Sequence, residues 1–298
     1  MRNEPRQKEL SIRQAELLMA AVIIARSTSF VLSKLTVASM SPFNILAVRF
    51  LSAFALLLIL FWRRLKACTR RVFQNGVILG AVYTVVMGFE MIGIRTTETS
   101  LASLIENSAF MLVPLLEIAV WRRCPTRRVV LGMLLAFLGL LILNLGPGAV
   151  FTVGCIYCLA AMCFYALAIF LTAIFAQEGE PLLVGIVQLG TMGVLSLFCS
   201  LGFERFRLPN SGTEWGSILY LAVVCSVFGF TLQPVAQRNL SADRAGMFSA
   251  LNPLAAMVWG YLILSEPLRP VKLLGAALIL AGILLPMVGR QSEKNMKT

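Results

Sequence analysis

Apolar residues run almost unbroken through this chain, and polar residues gather in short gaps between the runs. A helix that crosses a bilayer needs about 20 mainly apolar residues. Ten stretches qualify: 17–37, 43–62, 73–94, 100–121, 129–145, 150–176, 182–203, 215–237, 245–264 and 271–289. The pattern predicts an all-α integral membrane protein of ten transmembrane helices. The connections are too short to hold a soluble catalytic domain.

Composition agrees with the pattern. Hydrophobic residues make up 58% of the 298 residues and charged residues 13%, against about 25% charged in a soluble domain. A chain this apolar cannot cover its own surface with polar groups. The net charge of +12 would suggest nucleic acid in a soluble protein. Here the basic residues flank the apolar runs, as the positive-inside rule requires, and no basic face with interleaved aromatics is left for nucleic acid.

Sorting the charges by loop gives an orientation. Arg2, Arg6, Lys8, Arg13, Arg63, Arg64, Lys66, Arg70, Arg71, Arg122, Arg123, Arg127, Arg128, Arg238, Arg244, Arg290, Lys294 and Lys297 fall on one side. Arg95, Arg205, Arg207, Arg269 and Lys272 fall on the other. The bias predicts a plasma-membrane protein with both ends cytoplasmic: an N-terminal segment 1–16 and a tail 290–298. Segment 1–16 could be the charged start of a signal peptide. The following run carries Arg26 and Lys34 and shows no clear small-residue cleavage site, so a retained first helix is expected.

The chain has 7 Cys and 0 His. Cys155 and Cys158 have a metal-like or redox-like spacing, but they lie inside an apolar run without partner ligands, where small apolar packing is the expected role. Without His there are no histidine metal sites, Ser-His-Asp chemistry or histidine relays. Neither a metal nor a cofactor is expected.

Sliding the chain on itself by 143 positions exposes a duplication. Ala102 meets Ala245, Gly132 meets Gly275, Gly139 meets Gly282, Arg95 meets Arg238, and Leu131, Leu135 and Leu141 meet Leu274, Leu278 and Leu284. Pro42 and Pro181 open the second and seventh runs. Residues 17–145 and 150–289 are thus predicted to be two related five-helix repeats. An odd helix number inverts the second against the first, and inverted repeats point to alternating access around a midplane site. The paired glycines are expected to pack helices closely.

The duplicated stretch resembles the EamA domain of the drug/metabolite transporter superfamily. Asn252-Pro253, Ser265-Glu266-Pro267 and the run Leu274-Gly275-Ala276-Ala277-Leu278 through Ala281-Gly282 carry the likeness, with Pro42 and Arg49-Phe50 in the first half. The resemblance covers nearly the whole chain as two tandem copies. It implies ten helices around a central cavity and the export of small metabolites or drugs. The first copy departs from the pattern, with Ala109-Phe110 for the Asn-Pro pair and Arg123 for the loop Glu. Arg26 stands where the family often has an aromatic or Gly.

Ionisable residues within spans are expensive, at about 2.5–3.5 kcal/mol each at a helix centre, so they pair or line water. Arg26, Lys34, Arg49, Glu90, Glu106 and Glu117 are such residues. Similar depths predict a network of Arg49, Glu90 and Glu106, with Lys34 either joining it or snorkelling outward. Glu117 is expected to pair with Arg122 or Arg123. The repeat places Gln188 and Gln233 opposite Arg49 and Glu90. Arg26, Arg49, Tyr83, Glu90, Glu106, Asn107, Tyr165, Gln188, Gln233, Asn252, Pro253 and Trp259 are the cavity candidates. Glu106 and Glu90 are candidate proton carriers. For each, the plain alternative is helix packing: a locking ion pair, inter-helix hydrogen bonds or core aromatics. Pro253 and Pro114 should loosen their helices, since each removes a donor and clashes one turn back.

The expected function is secondary transport of a small molecule, amino-acid-like or drug-like, with a proton as candidate coupling ion and a monomer or homodimer as the unit. A hydrophobic-drug or lipid exporter would instead show an apolar, laterally open cavity. A lipid-modifying membrane enzyme would need clustered His/Asp or a Ser-Lys or Asp-Asp arrangement near an interface; no such arrangement is found, the spans contain neither His nor Asp, and the loops are too short for a site.

Overall fold

The computed structural model describes residues 10–97, 99–122, 124–144, 152–264 and 270–295. Arg2, Arg6, Lys8, Arg123, the junction 145–150, Ser265-Glu266-Pro267, Arg269 and Lys297, which entered the sequence argument, lie outside these residues.

Every regular element among the described residues is helical. In chain order they are α1 (Ile12–Ser27), α2 (Ser29–Val37), α3 (Pro42–Leu65), α4 (Arg70–Thr96) and α5 (Thr99–Asn107). After a 3-10 turn at Ser108–Met111 come α6 (Val113–Trp121), α7 (Arg127–Asn144), α8 (Val153–Phe175), α9 (Pro181–Phe203) and α10 (Gly212–Tyr220). A π-helical stretch, Leu221–Phe230, leads into α11 (Thr231–Gln237), α12 (Ala242–Phe248), α13 (Leu251–Leu264) and α14 (Pro270–Asn295).

Among the described residues, seven segments are long and apolar enough to cross a membrane: Ile12–Val37, Pro42–Leu65, Arg70–Thr96, Leu101–Trp121, Val153–Phe175, Pro181–Phe203 and Gly212–Gln237. The other three apolar runs fold as α7, as the pair α12 and α13, and as α14. Helix ends follow local chemistry more than hydropathy. α1 starts at Ile12 because Ser11 and Gln14 form a reciprocal capping box. Pro42 and Pro181 open α3 and α9 from the first turn, where a missing N–H costs nothing. Large apolar side chains such as Leu58, Ile59, Leu131, Leu134, Phe198 and Leu284 stand exposed on the outer faces, a surface suited to lipid.

The two ends of the bundle are tied by different ionic contacts. At one end Arg71 donates two bonds to Glu178, at 2.8 and 3.1 Å, and Asn75 adds a third at 2.8 Å. Arg64 meets Glu180 at 3.3 Å and Arg244 meets Glu16 at 3.8 Å. At the other end the Glu204 carboxylate accepts from the Phe43 and Asn44 backbone N–H groups, an anion on the first turn of α3. Arg207 there joins Glu214 through two bonds, at 3.0 and 2.8 Å, and donates to the Ser39 carbonyl. Each cluster joins loops that the charge bias puts on the same side.

Glycines set the closest helix approaches. A Cβ on Gly132 would lie 2.5 Å from the Gly282 carbonyl oxygen, and one on Gly139 would lie 2.5 Å from that of Gly275. The two contacts fix α7 and α14 as antiparallel. On α9 a Cβ at Gly190 would meet the Phe54 ring at 2.8 Å, and one at Gly193 would meet Leu51 at 2.9 Å. α3 and α9 are therefore antiparallel too. At all four glycines a methyl has no room, so bare backbone lets the helices close.

Candidate functional site

Among the described residues, four of the apolar runs are interrupted at their middles. The first breaks at Thr28, between α1 and α2, where the Ser27 and Thr28 hydroxyls bond back to the Ile24 and Ala25 carbonyls. Such back-bonding bends helices. The fourth passes through the 3-10 turn ahead of Pro114, and the ninth breaks at Ser249 and Ala250, ahead of Pro253. Each proline lacks the N–H that would hold the carbonyl four residues back. The expected loosening therefore falls in the turn before the proline. The fourth helix breaks at Ala109-Phe110 although the Asn-Pro pair is absent there. The eighth widens into the π-helical stretch, where the Ser226 hydroxyl donates to the Leu221 carbonyl at 3.0 Å. π-helical turns inside α-helices are frequent at functional sites.

These breaks surround buried polar groups. Arg26 donates from Nη1 to the Gln233 side-chain oxygen at 2.6 Å, and Gln233 donates on to the Tyr83 hydroxyl at 2.9 Å. The Arg26 stem runs past Gly229, where a Cβ would sit 2.6 Å from Arg26 Cγ. Its guanidinium lies 4.0 Å from the centroid of Phe230 and 5.8 Å from that of Tyr165, a cation–π arrangement. Tyr83 packs edge-on against Phe230.

Glu90 and Glu106 meet carboxyl to carboxyl at hydrogen-bond range. The second Glu106 oxygen, Oε2, is buried without a hydrogen-bond partner. Buried oxygens of this kind are normally satisfied.

Arg49 departs from the expected network. Its Nε donates to Ser226 Oγ at 2.8 Å and its Nη1 to Ser29 Oγ at 3.1 Å. Among the described residues no carboxylate lies within 4.0 Å of Arg49 or of Arg26. Glu90 reaches Arg49 only through space. Similar depth along the membrane did not imply adjacency around the bundle, and the acids are turned toward each other. Lys34 neither joins the acids nor snorkels freely. It donates to the Ile94 and Thr97 carbonyls at the end of α4, where a helix C-terminus favours a cation.

The remaining candidates divide. Asn252 donates to Asn107 Oδ1 at 3.2 Å and Ser249 donates to the Asn107 carbonyl at 3.3 Å, so the broken fourth and ninth helices touch at their breaks. Trp259 donates to Ser27 Oγ at 3.1 Å. Pro253 is buried. Gln188 stands apart: its amide nitrogen reaches only Met192 Sδ, at 4.0 Å, and its oxygen is unpartnered. Ser226, Ser29, Phe230 and Gly229 were not foreseen. The run Ser27-Thr28-Ser29 beside Arg26, and Ser226 with Gly229 one turn apart in an apolar stretch, were the available signals.

A cavity of about 850 Å3 opens at the bundle end that carries Glu178 and Arg244. Glu117, Arg127, Arg128, Gln177, Asp243 and Arg244 line it with Trp121 and Pro286. Its wall mixes these polar and charged groups with apolar ones such as Val129, Ala173 and Leu240. Cys155 and Cys158 are free and buried, with Cys158 packed on Gly93, and no group of three metal-ligating side chains occurs among the described residues.

A multi-pass helical membrane protein with a buried ionisable centre and a polar vestibule has the form of a membrane transporter of small molecules. Comparison with known proteins agrees. The profile of the EamA-like transporter family matches residues 13–145 and again residues 152–288. The chain belongs to that family. It is 26% identical over 289 residues to the uncharacterized transporter YetK of Bacillus subtilis (strain 168), covering 92% of this chain and 86% of YetK. An uncharacterized transporter of Archaeoglobus fulgidus is 26% identical over 271 residues, covering 91% of this chain and 85% of its own length. One solved crystal structure superposes with a TM-score of 0.78 over 95% of this chain and 100% of its own, at 17% identity, a likeness of fold alone.

Proposed function

We propose that the protein is a secondary transporter that exports small metabolites across the plasma membrane by alternating access. Ten membrane-crossing helices form two inverted five-helix repeats, 17–145 and 150–289, with both ends cytoplasmic. The observation that carries the reading is the convergence of four interrupted helices on buried ionisable groups, since irregular backbone at membrane depth is tolerated only where it is buried or lines a cavity. The helix register supports the inversion. Under the repeat offset Gly132 corresponds to Gly275 and Gly139 to Gly282, while the contacts pair Gly132 with Gly282 and Gly139 with Gly275. That crosswise pairing is what a two-fold axis between α7 and α14 produces. The contacts Gly190 with Phe54 and Gly193 with Leu51 cross in the same way under the pairing of Pro42 with Pro181. The ion-pair clusters support the sidedness, since each joins loops of one predicted face. The export direction follows the family resemblance.

A proton couples to this transport through Glu106 and Glu90. The two carboxyls face each other, with Arg49, Arg26, Tyr165 and Cys158 among the ionisable groups within their electrostatic reach. The test is flux in proteoliposomes under an imposed pH gradient. Glu106→Gln should abolish gradient-driven flux while exchange at equal pH persists. Unchanged gradient-driven flux in this variant would remove the carrier role from Glu106.

A further inference from the structure

Among the described residues, two guanidinium groups are buried at the centre of this molecule with no carboxylate in contact. Arg26 is bonded to an amide and faces aromatic rings, and Arg49 is bonded to two serine hydroxyls. A guanidinium stays protonated in proteins, and a buried charge without a counter-ion is costly. The neighbouring acids, Glu90 and Glu106, face each other and touch neither guanidinium.

We infer that the substrate is a small organic anion, a carboxylate with an apolar body, whose charged group binds Arg26. A carboxylate supplies the counter-ion that neither Glu90 nor Glu106 provides in contact with Arg26, and a cation would add a further buried positive charge beside it. The planar guanidinium fork matches a carboxylate through two parallel bonds. The Phe230, Tyr83 and Tyr165 rings around it give the apolar body a wall to pack on. The inference rests on the transporter reading for the route of the anion, but its binding can be measured apart from flux.

Benzoate, benzamide, benzylamine and phenylalanine make a probe set of equal ring and different charge. Calorimetric titration of the purified full chain in detergent should show saturable benzoate binding, with the other three weaker or silent. Arg26→Gln should weaken benzoate about 10- to 100-fold, the loss of a charge-assisted bond, and Arg26→Lys should recover part of it. If Arg26→Gln does not fold, the ranking of the four probes on the native chain decides alone. Benzylamine or phenylalanine binding with benzoate silent overturns the anion assignment, as does a full panel of silent probes. Equal benzoate affinity in native protein and Arg26→Gln overturns the role of Arg26. Benzoate that binds but never exchanges across proteoliposomes sinks the transport reading and leaves the anion site standing.

Discussion

The α7–α14 seam allows a quantitative test of packing. A methyl on Gly139 would meet the Gly275 carbonyl oxygen at 2.5 Å, the Ile279 nitrogen at 2.8 Å and Ile279 Cγ1 at 2.9 Å. Non-bonded carbon contacts sit at about 3.5–4.0 Å, so the helices must separate by about 1 Å. Two of the three atoms are backbone and have no rotamer to yield. Overpacking costs typically about 1–3 kcal/mol, and this site belongs at the upper end. Replacing a helical glycine gives back about 0.5–1 kcal/mol. Gly139→Ala should therefore lose about 2 kcal/mol net, a fall in Tm of about 4–8 °C at about 2–4 °C per kcal/mol. Gly202→Ala is the matched control, since nothing lies within 4 Å of its Cβ, and it should melt at or slightly above the native temperature. Gly275→Ala, with contacts of 2.8 and 3.0 Å, should fall between them. The assay is thermal unfolding of the purified protein in one detergent, read by tryptophan fluorescence. If Gly139→Ala melts no lower than Gly202→Ala, the seam is not the close approach described.

Gly229→Ala puts a methyl 2.6 Å from Arg26 Cγ and 3.0 Å from its Cδ, near the root of a buried side chain, so Tm should fall by about 2–4 °C, a loss of about 1 kcal/mol, and transport should fall with it; a Tm at or above native would contradict this. The Arg71 and Asn75 hydrogen bonds hold the Glu178 carboxyl below the usual carboxylate range. Its stabilisation is full above the unfolded value, about 4.3, and disappears as pH falls through the lower folded value. The stability difference between native protein and Glu178→Gln should shrink along that descent and in about 1 M salt, and a difference constant from pH 7 to 3 would refute the pairing. Cys124 is exposed in the fourth-to-fifth connection, on the predicted cytoplasmic side. A membrane-impermeant maleimide should label it in inverted vesicles and not in intact cells, and the reverse pattern would invert the topology.

Much of the membrane architecture was legible in the sequence. Apolar runs mark segments whose backbone groups must bond internally, and a helix is the local solution, so α3, α4, α8 and α9 could be read from one stretch each. The glycines of α7 and α14 could be read because the duplication repeats them. Arg26, Glu90 and Glu106 stood out because charge is rare within spans. Their partners did not. Arg26 bonds Gln233, 207 residues away, and Arg49 bonds Ser226, 177 residues away. Depth could be counted along each helix, but helix rotation and neighbour order come from packing.

The sequence by itself determined that the chain enters a membrane, where the apolar runs lie, and which few side chains are too polar for lipid. Tertiary structure alone decided that the two acids face each other, that the arginines are left to amide, hydroxyl and ring partners, and that the eighth helix widens to bring Ser226 and Gly229 against them. The physical division is between local and non-local terms. Hydration cost and backbone hydrogen bonding are settled residue by residue along the chain. The partner of a buried charge is settled only when distant helices close around it.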